Sequence, residues 1–136
     1  MRAVQQIESR VYVCEREREL PEAEQTRFHL VALTPTEQAF IEDGYFGADL
    51  VDGGRMVRAA QQGIHALSLG ISRVDNLLRE DGTPVILERD TSQPRLPGGK
   101  FPWKEASLAM LPKSVRAEVA LQIINHAYLD ETTRKN

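Results

Sequence analysis

The stretch of sequence that decides the fold is RFHLVALTPTE, from Arg27 to Glu37. Its first part is rich in strand-forming side chains, and a strand over it places Phe28, Leu30 and Ala32 on one face. The closing TPTE is typical of the beginning of a helix. The chain is therefore expected to pass from a strand directly into a helix.

The TPTE segment carries a capping box with a proline at the first helical position. Thr34 can accept a hydrogen bond from the amide of Glu37, and the carboxylate of Glu37 can accept one from the amide of Thr34. Pro35 loses no needed donor, because the first amides of a helix have no partner within the helix. Gly44 is expected to end this helix. Its expected core-facing residues are Ala39, Phe40 and Ile41.

The residues before this stretch predict a partner for the strand. Arg10 to Glu19, RVYVCERERE, is interpreted as a first strand whose charged end projects into water, and Leu20 to Glu24 as the break after it. Residues 1–33 therefore predict an N-terminal β-hairpin. Arg16 and Arg18 are candidate partner-binding residues, because the charged tip gains no burial energy within this chain.

Residues 34–89 are expected to hold helices and a second, smaller hairpin. Tyr45 to Gly54 is interpreted as a loop with a short helix, since glycines and aspartates cluster there. A second helix is predicted from Met56 to Leu69, and Gly70 can end it. The residues near helical spacing in it are Met56, Ala59, Ala60, Gly63, Ile64 and Leu67.

The small hairpin is predicted around Asp81-Gly82, a pair that favours the left-handed backbone of a tight turn. Its strands are expected at Val74 to Leu78 and Pro84 to Leu87. The fold class that follows is α+β, with an N-terminal hairpin and a mainly helical body. At 136 residues the chain has the usual length of a single domain.

Residues 90–102 are expected to form a long exposed loop, since prolines and glycines recur there and an apolar pattern is almost absent. Phe101 and Trp103 are candidate partner-binding residues at its end, because aromatic anchors dominate binding energy when a partner desolvates them. The alternative for both is burial in the core of this chain.

Residues 103–136 predict C-terminal helices, from Trp103 to Leu111 and from Pro112 to Tyr128. Asp130 is interpreted as the cap of a last polar turn. The second helix carries an apolar residue at every fourth position, and this stripe either faces the core or offers a surface to a partner. The stripe consists of Val115, Val119, Ile123 and Ala127.

Composition excludes several classes of protein. The formal charge of -3 argues against general nucleic-acid binding, which needs a large positive surface. The one cysteine, Cys14, cannot form an internal disulfide, so a reducing cytoplasm is the expected compartment. Charged residues precede any apolar run at the N-terminus, so neither a signal peptide nor a membrane span is expected.

Metal sites are not predicted from the residue types that could form them. No two histidines stand four apart on a predicted helix, which would set both imidazoles on one face. Three aspartates could converge on a hard cation, but their spacing matches no calcium loop, and turns account for them better. These residues are His29, His65 and His126, and Asp43, Asp49 and Asp52.

Catalytic and cofactor sites are not predicted either. Cys14 has no neighbouring histidine to activate it and is interpreted as a small apolar filler. The run from Pro97 to Phe101 lacks the glycine spacing and the hydroxyl of a phosphate-binding loop. Glu88 and Asp90 could face a cleft, which sequence alone does not reveal.

Three stretches form an ordered series of motifs. In Gln25 to Glu37 a strand leads into Leu-Thr-x-x-Glu, and in Ala66 to Val85 a helix ending in Leu-x-x-Gly-Ile precedes an Asn and an Asp-Gly-x-Pro turn. The third comprises Leu111 to Ala120 and the polar ending from Leu129 to Asn136. In this order, the motifs resemble those of the tail assembly chaperones of long-tailed bacteriophages.

The resemblance implies a non-enzymatic protein of the infected host's cytoplasm. Such a protein would bind the tape-measure protein and keep its apolar helices soluble until tail-tube subunits polymerise around it. It would self-associate or bind its helical partner through residues beyond Gln93. One departure is that relatives usually carry Trp before the Asn of the central motif, where this chain has Val74 and Asp75.

Two other functions are compatible with the same sequence. The protein could be a structural tail or neck component of the virion, with the charged hairpin inserted between neighbours. It could also be a small phage effector that acts on a host protein. Neither alternative requires a metal, a cofactor, nucleic acid or a membrane.

Overall fold

The structure is a computed structural model that describes residues 9–46 and 63–135, and it has the expected mixed α+β architecture. Three short strands form one antiparallel sheet, and the order within it is β1 (Arg10–Tyr12), β2 (Arg27–Leu30) and β3 (Ile71–Asp75). The helices of the described residues are α1 (Pro35–Phe46), α2 (residues 63–70), α3 (Glu105–Ala109) and α4 (Lys113–Lys135). The predictions for residues 47–62 lie outside the described residues.

The N-terminal hairpin is confirmed as an antiparallel pair of strands. Arg10 of β1 stands opposite Leu30 of β2, and Tyr12 stands opposite Phe28. Tyr12, Phe28 and Leu30 are buried, whereas Val11, which points to the other face, is 52% exposed. The alternation expected for a half-buried strand is therefore present over this short length.

The prediction of one strand from Arg10 to Glu19 is wrong for its charged half. The chain leaves the sheet near Cys14 and forms two 3-10 turns, Glu15–Glu17 and Glu22–Glu24, before it enters β2. The amide of Glu17 donates to the carbonyl of Cys14 at 2.9 Å. Because the charged residues gain no burial on either face of a strand, local hydrogen bonds satisfy this backbone instead.

β3 overlaps the strand predicted at Val74 to Leu78 only at Val74 and Asp75, and its place in the larger sheet is not predicted from the sequence. It pairs antiparallel with β2, and this pairing places Val74 opposite Phe28. The predicted small hairpin is consequently reduced to one bridge between Leu78 and Pro84, since Val74 already belongs to the larger sheet. Gly82 has a φ of 86°, which confirms the left-handed turn predicted there.

α1 begins at the predicted capping box. The amide of Thr34 donates to Glu37 Oε1 at 2.9 Å, and the amide of Glu37 donates to Thr34 Oγ1 at 3.2 Å. The helix continues past Gly44 into the predicted loop, because glycine permits a helix end without enforcing one. Of its predicted core residues, Phe40 and Ile41 pack into the core and Ala39 is exposed.

α2 ends at Gly70, as predicted. A Cβ at this position would lie 2.5 Å from Ile123 Cγ2, so glycine is what allows α4 to approach the end of α2. Leu67 is fully buried as expected, but Ile64 is 44% exposed and does not belong to the core face.

The C-terminal helices have different ends from those predicted. α3 is shorter than the predicted helix from Trp103 to Leu111, and α4 extends through Asp130, which therefore does not cap a separate turn. The stripe residues Val115, Val119 and Ile123 are buried and face the core, while the side chain of Ala127 lies outside the described residues. None of the helices in the described ranges is long and apolar enough to cross a membrane.

Candidate functional site

A groove of about 340 Å³ lies between the turns after β1, the end of β3 and the junction of α3 with α4. Its apolar lining includes the buried side chains of Cys14, Phe28, Leu111 and Val115. Leu78 and Met110 also line it and remain 51% and 44% exposed. We call this feature the Leu78–Met110 groove. Polar side chains share the lining, among them Arg16, Glu24 and Asn76. The groove is a candidate contact surface because it brings two half-exposed apolar side chains together in one concave place.

Leu78 is held in the groove by the turn that follows β3. Asn76 adopts a φ of 61°, a left-handed conformation that Asn accepts more readily than most residues. Its side-chain amide donates to the carbonyls of Ala23 and Gln25 at 3.0 and 3.1 Å, and Thr26 Oγ1 donates to the Asn76 carbonyl at 3.0 Å. The Asn of the central motif therefore ties the end of β3 to the connection before β2.

Met110 is held on the opposite side by the short turn between α3 and α4. The amide of Met110 donates to the carbonyl of Ser107 at 3.1 Å, and the amide of Leu111 donates to the carbonyl of Leu108 at 3.0 Å. This turn buries Leu111, which is 1% exposed, and leaves Met110 outside. The position of Met110 thus follows from the way that α3 ends.

A second, more open depression of about 520 Å³ shares Leu78 and Met110 with the groove. The turn of residues 79–83 forms one side of it, and Val85 contributes an apolar side chain. Asp81 Oδ1 accepts hydrogen bonds from Thr83 Oγ1 at 2.6 Å and from the Thr83 amide at 3.0 Å. These bonds, the side-chain bond first, lower the pKa of Asp81 and keep its charge beside the apolar surface.

The two arginines predicted at the hairpin tip lie in different places. Arg16 lines the groove, and its Nη1 lies 3.5 Å from Ser114 Oγ. Arg18 folds back on β1: its Nε donates to the Val13 carbonyl and its Nη2 donates to the Tyr12 hydroxyl, both at 3.2 Å. The charged segment is therefore not a strand-like ribbon, although Arg16 and Arg18 are both exposed as expected, and only Arg16 lines the candidate site.

Trp103 is not an exposed anchor. Its side chain is 7% exposed, its Nε1 donates to the Leu67 carbonyl at 3.2 Å, and the guanidinium of Arg89 lies 3.5 Å from the ring centroid. Phe101 is partly buried, with the Arg95 guanidinium 4.8 Å from its ring centroid. The alternative of core burial, which the sequence left open, is the one observed for Trp103.

The loop at residues 90–102 is bound to the C-terminal end of α2. Beside the Trp103 contact, Arg89 Nη1 donates to the Ser68 carbonyl at 2.6 Å and Lys100 Nζ donates to the Leu69 carbonyl at 2.8 Å. Cations at a helix C-terminus satisfy carbonyls that lack partners in the helix and complement its dipole. Residues 91–95 are exposed, as predicted for this loop, while Arg89, Lys100 and Trp103 fix its two ends to the rest of the fold.

The titratable residues considered in the sequence analysis are tied to neighbours. Burial, followed by the carboxylates of Glu118 and Glu17, raises the pKa of Cys14 to about 12, consistent with a core filler. Glu88 pairs with Lys104 at 2.9 Å, a contact that lowers the pKa of Glu88. Asp90 Oδ1 accepts hydrogen bonds from the Ser92 hydroxyl and amide.

The histidines and aspartates that were weighed as metal ligands lie only partly within the described residues. His29 Nε2 lies 2.6 Å from Asp75 Oδ2, so this histidine belongs to a side-chain pair across β2 and β3. Among the described side chains, no group of three or more His, Cys, Asp or Glu could hold a metal ion. Asp49, Asp52 and the side chain of His126 lie outside the described residues.

Comparisons with known proteins give no match: none of the family models, the curated proteins or the solved structures matches this chain. The candidate site consequently rests on its own geometry. Leu78 and Met110 are the residues that sequence reasoning missed. What distinguishes these two residues is that they are exposed beside a buried apolar lining. The sequence does not show this, because the exposure of a side chain depends on how distant segments pack.

Proposed function

We propose that this protein is a non-enzymatic tail assembly chaperone that binds apolar helical segments of a phage tape-measure protein in the host cytoplasm. The motif series supports the family, and the Leu78–Met110 groove is the structural observation that carries the proposal. Leu78 and Met110 replace Phe101 and Trp103 as the principal binding residues, and Arg16 is retained at the edge of the groove.

The physical basis of the proposal is the coverage of apolar surface. A tape-measure chain exposes apolar helical faces before the tail tube surrounds it, and a protein that covers those faces lowers the concentration of aggregation-prone species without chemistry. Helices commonly bind such grooves through residues at positions i, i+3, i+4 and i+7. The half-exposed Leu78 and Met110 offer the surface on which such a ridge can rest.

The proposal is tested by co-expression with a candidate phage tape-measure protein. We expect the soluble fraction of that protein to rise at least about threefold with the wild-type chain, because binding removes free tape-measure chains from the pool that aggregates. The double variant Leu78→Gln/Met110→Gln should lose most of this gain, because it removes apolar contacts from exposed positions.

The matched control is Leu121→Gln, which changes a side chain that is 55% exposed on α4 and does not line the groove. It should support solubility as well as the wild type does. If the tape-measure protein is equally insoluble with and without the wild-type chain, the chaperone function is wrong. Recovery of the chain from purified virions in fixed stoichiometry would instead favour a structural tail component.

A further inference from the structure

The Leu78–Met110 groove and its adjoining depression have a charged border that restricts the kind of helix they can bind. We infer that the occupant of these two depressions is an amphipathic helix of a partner protein whose apolar ridge is flanked by lysine or arginine. This inference rests on the proposed function. The inference adds the charge of the partner segment, which neither the resemblance nor the groove alone specifies.

The border carries more negative than positive charge. Four carboxylates and two guanidinium groups line the two depressions. The carboxylates belong to Glu17, Glu24, Glu80 and Asp81, and the guanidinium groups belong to Arg16 and Arg79. Glu17 and Glu24 line the groove while Glu80 and Asp81 line the depression, and Leu78 and Met110 are shared between them. A ridge resting on the shared residues would therefore have carboxylates on both of its flanks.

The positive groups of the border are directed to this chain's own atoms. Arg79 Nη1 donates to the Pro84 carbonyl at 2.9 Å and contacts Thr83 Oγ1 at 3.4 Å. Arg16 Nη1 lies 3.5 Å from Ser114 Oγ. Among the ion pairs found in the described residues, none involves a charged residue of this border. The four carboxylates therefore form no direct ion pair within the described residues, and the two guanidinium groups offset only part of their charge.

Glu24, Glu80 and Asp81 are placed to receive charge from a partner, whereas Glu17 Oε1 already accepts a hydrogen bond from the Thr26 amide at 2.7 Å. Glu24 and Glu80 are exposed beside an apolar surface, and hydrogen bonds from Thr83 hold Asp81 in its charged form. Lysine and arginine can lay their aliphatic stems along Leu78 or Met110 while their charged ends reach these groups. A helix flanked by glutamates would instead bring like charges together, which disfavours the wrong partner.

The experiment compares two labelled peptides by fluorescence anisotropy with the full chain. Both are amphipathic helices of about 18 residues, or five helical turns, with the same leucine ridge. One carries lysines and the other glutamates on the borders of the ridge. We expect the lysine peptide to bind the wild-type chain about tenfold more tightly at low salt, and the preference to shrink at about 1 M salt.

Charge reversal at the border supplies the decisive variant. Glu24→Lys/Glu80→Lys should abolish the preference for the lysine peptide or reverse it. Glu19→Lys/Glu22→Lys makes the same change in net charge at exposed residues that do not line either depression, and it should retain the preference. Thermal unfolding of each variant checks that the fold is unchanged.

The outcomes separate this inference from the proposed function. Equal affinity for the two peptides, or a preference that persists in Glu24→Lys/Glu80→Lys, overturns the charge inference and leaves the co-expression test to judge the chaperone function. Failure of both peptides to bind also overturns the charge inference. Dimers that disappear in Leu78→Gln/Met110→Gln, seen by sedimentation, would show that a second copy occupies the groove and would also overturn it.

Discussion

At the scale of single residues, Glu37 serves two parts of the fold with one carboxylate. Its Oε1 accepts the hydrogen bond that closes the capping box, and its Oε2 lies 3.4 Å from Lys100 Nζ. The Glu37 side chain is 2% exposed, whereas the Lys100 side chain is 34% exposed and keeps partial access to water. The start of α1 is thereby connected to the loop that also binds the end of α2.

The capping box gives a prediction about stability. Thr34→Ala removes the oxygen that accepts from the Glu37 amide and should lower the free energy of unfolding by about 1 kcal/mol. Urea denaturation followed by circular dichroism measures the change. Thr36→Ala alters the same residue type at an exposed position two residues further along and should stay within about 0.5 kcal/mol of the wild type. Equal losses in the two variants would contradict a capping role for Thr34.

The two contacts of Glu37 differ in how far they can be predicted. The capping box is visible in the sequence because its four residues are contiguous and its geometry is local. The pairing of Glu37 with Lys100 is not visible, since it depends on how a glycine-rich loop packs against α1. Gly98, with a φ of 86°, leaves the space that a Cβ would fill 3.2 Å from Glu37 Oε2.

At the scale of elements, the carboxylate of Glu118 on α4 contacts both β1 and the turn that follows it. Glu118 Oε2 accepts hydrogen bonds from the Tyr12 hydroxyl at 2.5 Å and from the Glu15 amide at 3.0 Å. Burial and then the bond to Glu118 raise the pKa of Tyr12 to about 12. The bond from Tyr12 is the main cause that lowers the pKa of Glu118. Folding therefore favours the charged form of the Glu118 carboxyl group.

This junction gives a prediction about acid. Because folding lowers the pKa of Glu118, its stabilisation is complete above the ordinary carboxyl pKa and is lost as pH falls through the lower folded value. Glu118→Gln should reduce stability at pH 7 by about 1–2 kcal/mol and flatten the decline below about pH 5. Urea denaturation at a series of pH values measures both effects.

The control for the acid prediction is Glu19→Gln, an exposed carboxyl for which no such junction is observed. It should leave the acid decline of stability as steep as in the wild type. A Glu118→Gln variant that loses stability below pH 5 as steeply as the wild type would show that Glu118 does not couple protonation to folding.

The elements were predictable where their signals are local. The strand of Phe28 and Leu30 and the start of α1 follow from alternation and capping, whereas β3 forms because β2 supplies a partner from a distant segment. The same dependence explains Trp103, which lies in a polar stretch but is buried against Leu67 and Arg89. Neither residue spacing nor composition reports such pairings.

At the scale of the whole molecule, Cys14 lies where the core and the Leu78–Met110 groove meet. Its side chain is 2% exposed and forms no disulfide, and the pKa of its thiol is raised to about 12. At pH 8 only about one thiol in ten thousand would be the reactive thiolate, against roughly a quarter for a free cysteine. A thiol reagent should therefore reach it through unfolding of the surrounding structure.

We expect Cys14 to react with Ellman's reagent at pH 8 at least about 100-fold more slowly than free glutathione does. The rate should rise with urea in parallel with the unfolded fraction measured by circular dichroism. The same chain in high denaturant, where reaction should be complete within the mixing time, is the control. A native rate close to that of glutathione would contradict burial of this thiol.

The hydrogen bond from Arg10 to the carbonyl of Gln122 joins residues 112 positions apart, at 3.0 Å. At usual rates of translation, roughly 5 to 20 seconds separate the synthesis of these two residues. During that time β1 has no α4 to pack against, and the groove lacks Val115 from its lining. A nascent chain on the ribosome thus has no binding groove, and we expect partner binding to begin only after α4 has emerged.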